Sequence, residues 1–219
     1  GSANMQFALA RYNTDGSLDA SFGSGGKVST DFFGANDFAS SITLVAGGKI
    51  VVAGAVYLAG SGNDQFGVAR YNANGSVDNS FGTGGKTSVE FSSAYVRRWT
   101  AAAQADGKVV GASWGVAPSG FDEFQILRLN TDGSLDSGFS GDGKVTTSVA
   151  SSQNQAWTVM VQTDGKIVAA GAAYDVASNA GLFALTRYES GTAAALSAPN
   201  LLAPANAATV TQPLSFDWS

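Results

Sequence analysis

The chain repeats itself, and the repeat restricts its fold more than any other feature. "FALARYNTDGSLDASFGSGGK" at Phe7–Lys27 returns as "FGVARYNANGSVDNSFGTGGK" at Phe66–Lys86 and as "FQILRLNTDGSLDSGFSGDGK" at Phe124–Lys144. Its head, "FALTRYESG", opens a fourth copy at Phe183. A second block keeps step: "GGKIVVAG" ends at Gly54, "DGKVVGAS" at Ser113 and "DGKIVAAG" at Gly171. The leading Phe residues lie 59, 58 and 59 apart, and each complete first block spans 20 residues from Phe to Lys. From that Lys to the Lys of the second block is 22 residues in all three copies. Self-similarity at such a period means one small unit, unable to bury its apolar face alone, stacked on its neighbours.

The repeat also disposes of a tempting motif. Gly85-Lys86-Thr87 looks like the end of a phosphate-binding loop, but the equivalent lysines are followed by Val28 and Val145 where that loop needs Ser or Thr. The loop's first glycine would fall on Ser80, and the alternating "KTSVEF" after it reads as a strand rather than a helix. The glycines belong to a turn.

Each unit carries four strand signals with period-two alternation. In the second unit they are "SITLVA" (a), "KIVVAGAVYL" (b), "QFGVARYN" (c) and "KTSVEF" (d). A Gly-Gly or Asp-Gly turn, a strong hairpin signal, joins a to b. Strand c runs into a long connection whose apolar Leu18 and Phe22 are expected to tuck beneath it. No segment has helical periodicity. Four antiparallel strands at a fixed period predict an all-β fold of propeller-type blades, about three and a quarter units in all, with a solenoid of sheets as the weaker alternative.

On the residues quoted, and on the signatures "G-S-[LV]-D-x-[SG]-F" and "D-G-K-[IV]-V", the stretch from Phe7 to about Ser190 resembles the bacterial delta-60 repeat. That resemblance implies a β-propeller within a large exported protein. The fourth unit departs from it after Tyr188, where "ESGTAAAL" lacks the Asp-Gly-Ser-Leu-Asp run. The tail "ATVTQPLSFDWS" resembles the opening strands of a fibronectin-III or immunoglobulin-like module. The organisation expected is residues 1–4 as an N-terminal tail with Gly1-Ser2 a cloning remnant, 5–195 as propeller repeats, and 196–219 as linker and truncated sandwich. Propellers close with about four to eight blades. So few units are expected to complete a ring by self-association, with the tail strands or a longer parent as alternatives.

Composition removes whole classes of function. With no histidine and no cysteine, disulfides, thiolate metal sites and Ser-His-Asp or Cys-His mechanisms are impossible. A net charge of −5 argues against nucleic acid and anionic membrane as partners. The longest apolar run, Ile50 to Leu58, is too short to cross a bilayer. Charged residues make up only 13%, about half the usual share, and the polar load falls on Ser, Thr, Asn and Gln, as in strand-rich surface proteins.

Because strands alternate in direction, the a–b and c–d connections share one rim and the b–c and d–a connections the other. The first rim repeats nearly unchanged; the second diverges between units, through "AGSGNDQ", "WGVAPSGFDE" and "YDVASNAGL" among others. Divergent loops on a uniform scaffold are where binding is expected. The candidates are Tyr57, Tyr95, Arg97, Arg98, Trp114, Phe121 and Tyr174, a mixture of aromatics and arginine suited to a glycan or protein contact. Tyr57 and Tyr174 are equivalent, which also fits blade packing.

Arg11, Arg70, Arg128 and Arg187 occupy one position of strand c, and Asp19, Asp78 and Asp136 follow the first three at a fixed distance. We read these as structural ion pairs that pin the c–d connection. "NTDGSLD" offers oxygens at alternate positions but lacks the spacing and terminal Glu of a calcium loop, and Asn74 replaces Asp15 in the second unit. Asp122-Glu123 has no second carboxylate pair to work with as a glycosidase would. Trp99 and Trp157 are equivalent and are expected to be core aromatics.

The expectation from sequence is therefore a non-catalytic, secreted or cell-surface module that needs no cofactor or metal. It would serve adhesion or recognition of a glycan or protein through its variable rim, and associate with itself. A structural spacer and a cation-dependent propeller enzyme are the alternatives.

Overall fold

A computed structural model describes residues 4–58, 64–91, 99–117 and 119–189. The candidates Tyr95, Arg97 and Arg98 and the whole 196–219 segment lie outside the described residues. The strands form four antiparallel sheets in chain order. The first holds β1 (Phe7–Ala10) and β2 (Lys27–Thr30). The second holds β3 (Asp37–Val45), β4 (Lys49–Tyr57), β5 (Asp64–Tyr71) and β6 (Lys86–Val89). The third holds β7 (Thr100–Ala103), β8 (Val109–Val116), β9 (Asp122–Leu129) and β10 (Lys144–Thr147). The fourth holds β11 (Asn154–Val161), β12 (Ile167–Asp175) and β13 (Ala180–Tyr188). Strand order within each sheet follows the sequence, so each is a simple meander, and the second, third and fourth sheets carry the a-type strand at one edge.

The sheets stack face to face in sequence, and alternation along each strand decides what is buried. In strand c of the second unit, Phe66 and Val68 point toward the third sheet, while Ala69 and Tyr71 point back toward the first. Three apolar clusters result, one per junction. Phe7, Leu9 and Phe22 meet Ile50, Val52 and Tyr71. Phe66, Val68 and Phe81 meet Trp99, Val109 and Leu129. Phe124, Ile126 and Phe139 meet Val159, Ile167 and Tyr188. Burying each such side chain stabilises the stack by about 1.5–3 kcal/mol. No single sheet would hold alone; the junctions make the fold.

The junctions are also hydrogen-bonded in register. The Tyr71 hydroxyl donates to Thr30 Oγ1 at 2.7 Å, and Tyr188 repeats this with Thr147 at 2.8 Å. The sheets do not close into a ring: the first and last sheets make no substantial contact, and the outer face of the fourth is bare.

One residue departs from expectation. Trp99 is buried against Phe66, with ring centroids 4.4 Å apart, but its equivalent Trp157 is exposed. Trp157 stands at a register shift between Ala156 and Thr158, a bulge that turns the ring toward the side where no further sheet follows.

Candidate functional site

On the uniform rim, each c–d connection begins as an Asx turn. Asp15 Oδ1 accepts from the Ser17 backbone N–H at 2.9 Å and from its hydroxyl; Asn74 and Asp132 do the same for Ser76 and Ser134. Gly16, Gly75 and Gly133 follow with φ of 86°, 85° and 88°, in the left-handed region that a turn of this kind requires. One oxygen of Asp15 is thus engaged by the turn itself, and both oxygens of Asp19 by Arg11 and Ser21. Among the described residues no three carboxylates converge as a metal-holding group.

Beneath the turns lie the ion pairs. Arg11, Arg70 and Arg128 place Nε 2.8, 2.6 and 2.6 Å from Asp19, Asp78 and Asp136. Each guanidinium also lies over a ring of its own connection, Phe22, Phe81 or Phe139, at 4.6 to 5.0 Å. In the two complete units a lysine from the neighbouring strand joins: Lys49 Nζ is 2.7 Å from Asp78 and Lys108 Nζ 2.8 Å from Asp136. Burial opposes ionisation of Asp78, but hydrogen bonds from Lys49, Ser80 and Arg70 outweigh it and hold the carboxyl well below its ordinary value. Phe22 is buried, as the sequence led one to expect; the lysines and the contact of the rings with the guanidiniums were not singled out, although their recurrence in phase with the aspartates is the signal that could have found them. Arg187 has no such aspartate in its unit, and its side chain faces outward from β13.

Lys86, at the end of the phosphate-loop look-alike, opens β6. Its Nζ donates to the Asp31 carbonyl of the preceding unit at 2.7 Å and lies 5.6 Å from the Phe32 ring. It clamps two sheets together.

The variable rim is different. Tyr57 ends β4 and Tyr174 falls near the end of β12, both partly exposed, and the Tyr174 hydroxyl donates to Asn179 of the adjoining loop. Phe121 is nearly half exposed in a turn closed by a 2.9 Å bond from Ala117 N–H to the Phe121 carbonyl. Trp114 pairs across strands with Phe124 and is half-buried, its Nε1 enclosed without a hydrogen-bond partner. Strand polarity puts Tyr57, Phe121 and Tyr174 at the same end of their sheets, on three successive blades. Trp114 lies two residues inside the end of β8. Asp122 and Glu123 sit beside them, Asp122 accepting from Gln155 at 3.2 Å and Glu123 from Ser148 at 2.9 Å. Both carboxylates are engaged by neighbours within the fold.

Three clefts are lined by described residues. One of about 400 Å³ is bounded by Lys49, Arg70, Ser80 and Asp132 on the uniform rim. Another, of about 730 Å³, lies among the a–b turns, by Gln104, Gln162 and Gly165. A third, of about 660 Å³ on the outer flank, has Phe32, Phe33 and Lys86 on its walls.

A family model described as "domain of unknown function (DUF5122) beta-propeller" matches residues 2–22, 48–81, 104–139 and 162–191, more than half of the chain. Each matched segment falls on one of the four units seen in the structure. No curated protein matches the chain. Four stacked sheets joined at three like junctions, each sheet touched by the family model in turn, lead to a single statement of kinship: the chain belongs to the DUF5122 β-propeller family, a family of unknown function.

Proposed function

We propose that the chain is a non-catalytic recognition module of an exported surface protein, binding a glycan or a protein through its variable rim. The observation that carries this reading is the contrast between the rims. On one, near-identical turns bind their own polar groups, and Arg70, Asp78, Arg128 and Asp136 are buried in mutual contacts. On the other, loops of differing sequence carry partly exposed Tyr57, Phe121 and Tyr174 on three adjacent blades. Aromatic faces with little conformational entropy to lose suit sugar stacking and protein hot spots. An array of near-equivalent positions suits a repeated ligand, because weak contacts at several blades combine.

The test is a glycan array and a panel of cell-envelope preparations, probed with wild type and with Phe121→Ala, Tyr57→Ala and Tyr174→Ala. Binding that the three substitutions weaken together supports the reading. Binding that none of them alters places the ligand off this rim.

A further inference from the structure

The two ends of the array are unlike each other, and each is one half of a contact the chain makes three times within itself. At every internal junction, the face of strand c bearing the repeated Phe and aliphatic residue is covered by the following sheet: Phe7, Phe66 and Phe124 are all fully buried. Their equivalent in the last sheet, Phe183, is 81% exposed, and Leu185 beside it is 55% exposed where Val68 and Ile126 are fully buried. Cross-strand register sets Phe183 opposite Ala172, Leu185 opposite Ala170 and Met160 opposite Val168, so these residues share one face. Trp157 and Met160 extend it, both more than half exposed. Residues 190–219 contain no further copy of the repeat.

At the opposite end, no sheet precedes the first among the described residues. Tyr12 is exposed, whereas its equivalents Tyr71 and Tyr188 are buried against the sheet before them. Ile42 and Leu44 of β3 are 65% and 69% exposed because the first sheet has only c and d strands, and none beside β3. The turns agree. A side chain at Gly75 or Gly133 would collide with Phe22 or Phe81 of the preceding unit, whereas Gly16 faces open space. Arg11 and Arg70 donate to the carbonyls of Ala73 and Thr131 in the following unit's turn. Arg128 and then Arg187 follow in that series, Arg187 on the last sheet. The acceptor with no preceding unit among the described residues is the carbonyl of Thr14, at the other end.

We propose that the bare face of the last sheet docks on the first-sheet end of a second copy of this chain, head to tail, independently of what the variable rim binds. Both surfaces are apolar, and together they hold the two halves of the arginine-to-carbonyl contact used at the internal junctions. A head-to-tail contact between identical chains generates a closed ring when the rotation permits. Two copies bring twice the four sheets of one chain, within the blade range in which propellers close.

The experiment is sedimentation analysis of the full chain, of Phe183→Asp and of Leu44→Asp, each alone and mixed one to one. Both substituted side chains are exposed, so the fold should survive, as circular dichroism and melting would verify. Met160→Asp and Ile42→Asp serve as a second pair if either variant fails to fold. The expected result is a discrete oligomer for the wild type, monomer for each variant alone, and a one-to-one complex on mixing, since one intact head meets one intact tail. A monomeric wild type at all concentrations overturns the proposal. So does self-association of Leu44→Asp, which would mean tail-to-tail contact, or a mixture that stays monomeric.

Discussion

Lys49 Nζ and Arg70 Nε converge on one oxygen, Oδ2 of Asp78, at 2.7 and 2.6 Å. The carboxylate thereby ties strand β4, strand β5 and the c–d connection at a single point, and Lys108 with Arg128 does the same at Asp136. Asp78→Ala leaves a buried guanidinium and an ammonium without their anion. The cost expected is about 3 kcal/mol, the low end for breaking a buried pair, because Lys49 keeps a third of its side chain in water. For a chain of this size that lowers the melting temperature by about 6–12 °C. Asp19→Ala should shift it far less, since no lysine joins that pair and Arg11 is more than a third exposed. Thermal melts of the two variants side by side check the ordering.

The same groups set the response to acid. Asp78 and Asp136 have carboxyls held below the ordinary value of 3.8: burial opposes ionisation at both, but lysine, backbone and arginine donors prevail. A depressed folded value contributes stability that is fully present above the unfolded value and is lost as pH falls through the folded one. Stability should therefore drop as pH is lowered below about 3.8. The double variant Asp78→Asn, Asp136→Asn, though less stable at neutral pH, should lose less over the same interval. Denaturant midpoints measured from pH 6 down to pH 2 test this; parallel curves for both proteins would refute it.

Most of the architecture was legible because the repeat lengths leave little freedom. Blocks of 20 and 22 residues recurring in phase allow one hairpin plan, and the strands c-d, a-b-c-d twice and a-b-c can be read along the chain. What escaped is whatever depends on a neighbour in space. Lys49 stands in plain view in "GGKIVVAG", yet its bond to Asp78 exists only because β4 lies beside β5. Trp99 and Trp157 are the same residue at the same repeat position. Trp99 packs back on Phe66 and Phe91 of the preceding unit, whereas Trp157, at the register shift between Ala156 and Thr158, is exposed although a sheet precedes it too. The rim candidates were legible as a set of divergent loops, but the enclosed Nε1 of Trp114 depends on packing that no spacing announces.

Gly111 marks how closely consecutive sheets approach. A Cβ built there would lie 2.6 Å from the Phe66 ring, whereas the equivalent positions across the other two junctions are Val52 and Ala169. The missing side chain is what lets Phe66 stack on Trp99 at 4.4 Å. Gly111→Val should push the ring off its site and destabilise by about 1–3 kcal/mol, as overpacking does. It should also change the near-ultraviolet signal of Trp99. Phe66→Leu in the same background should recover part of the loss, and a double-mutant cycle measures how much.

Asp132 and Asn74 hold equivalent Asx turns with different charge, so the carboxylate itself is dispensable there. Asp132→Asn should leave the melting temperature essentially unchanged, because Asn74 already performs the same bonds to Ser76. Adding millimolar calcium should shift neither protein. A calcium-dependent rise in wild type that the variant lacks would restore a cation-binding role to these turns.

Asp37 and Asn154 occupy one position in two units and meet opposite fates. Asn154 is satisfied throughout: its Oδ1 accepts from Val149 and Ala150 at 2.9 and 2.7 Å, and its amide donates to the Asp122 carbonyl at 3.0 Å. Asp37, equally buried, accepts from Phe32 at 2.8 Å through Oδ2; its Oδ1 is enclosed without a hydrogen bond of good geometry, although the Tyr57 backbone N–H acts weakly on the carboxyl. Burial accordingly pushes its carboxyl above the ordinary value of 3.8. A raised folded value works against the fold as pH climbs past 3.8, since the carboxylate must then ionise in a poor environment. Asp37→Asn removes that charge and supplies a donor, as the fourth unit already does. It should stabilise the protein at neutral pH by about 1 kcal/mol, the scale of an unsatisfied buried acceptor. The gain should vanish toward pH 3, where Asp37 becomes protonated and neutral in the wild type. Chemical denaturation of both proteins at pH 7 and pH 3 decides it; a loss of stability at pH 7 would mean that the carboxylate has a partner worth more than the burial it suffers.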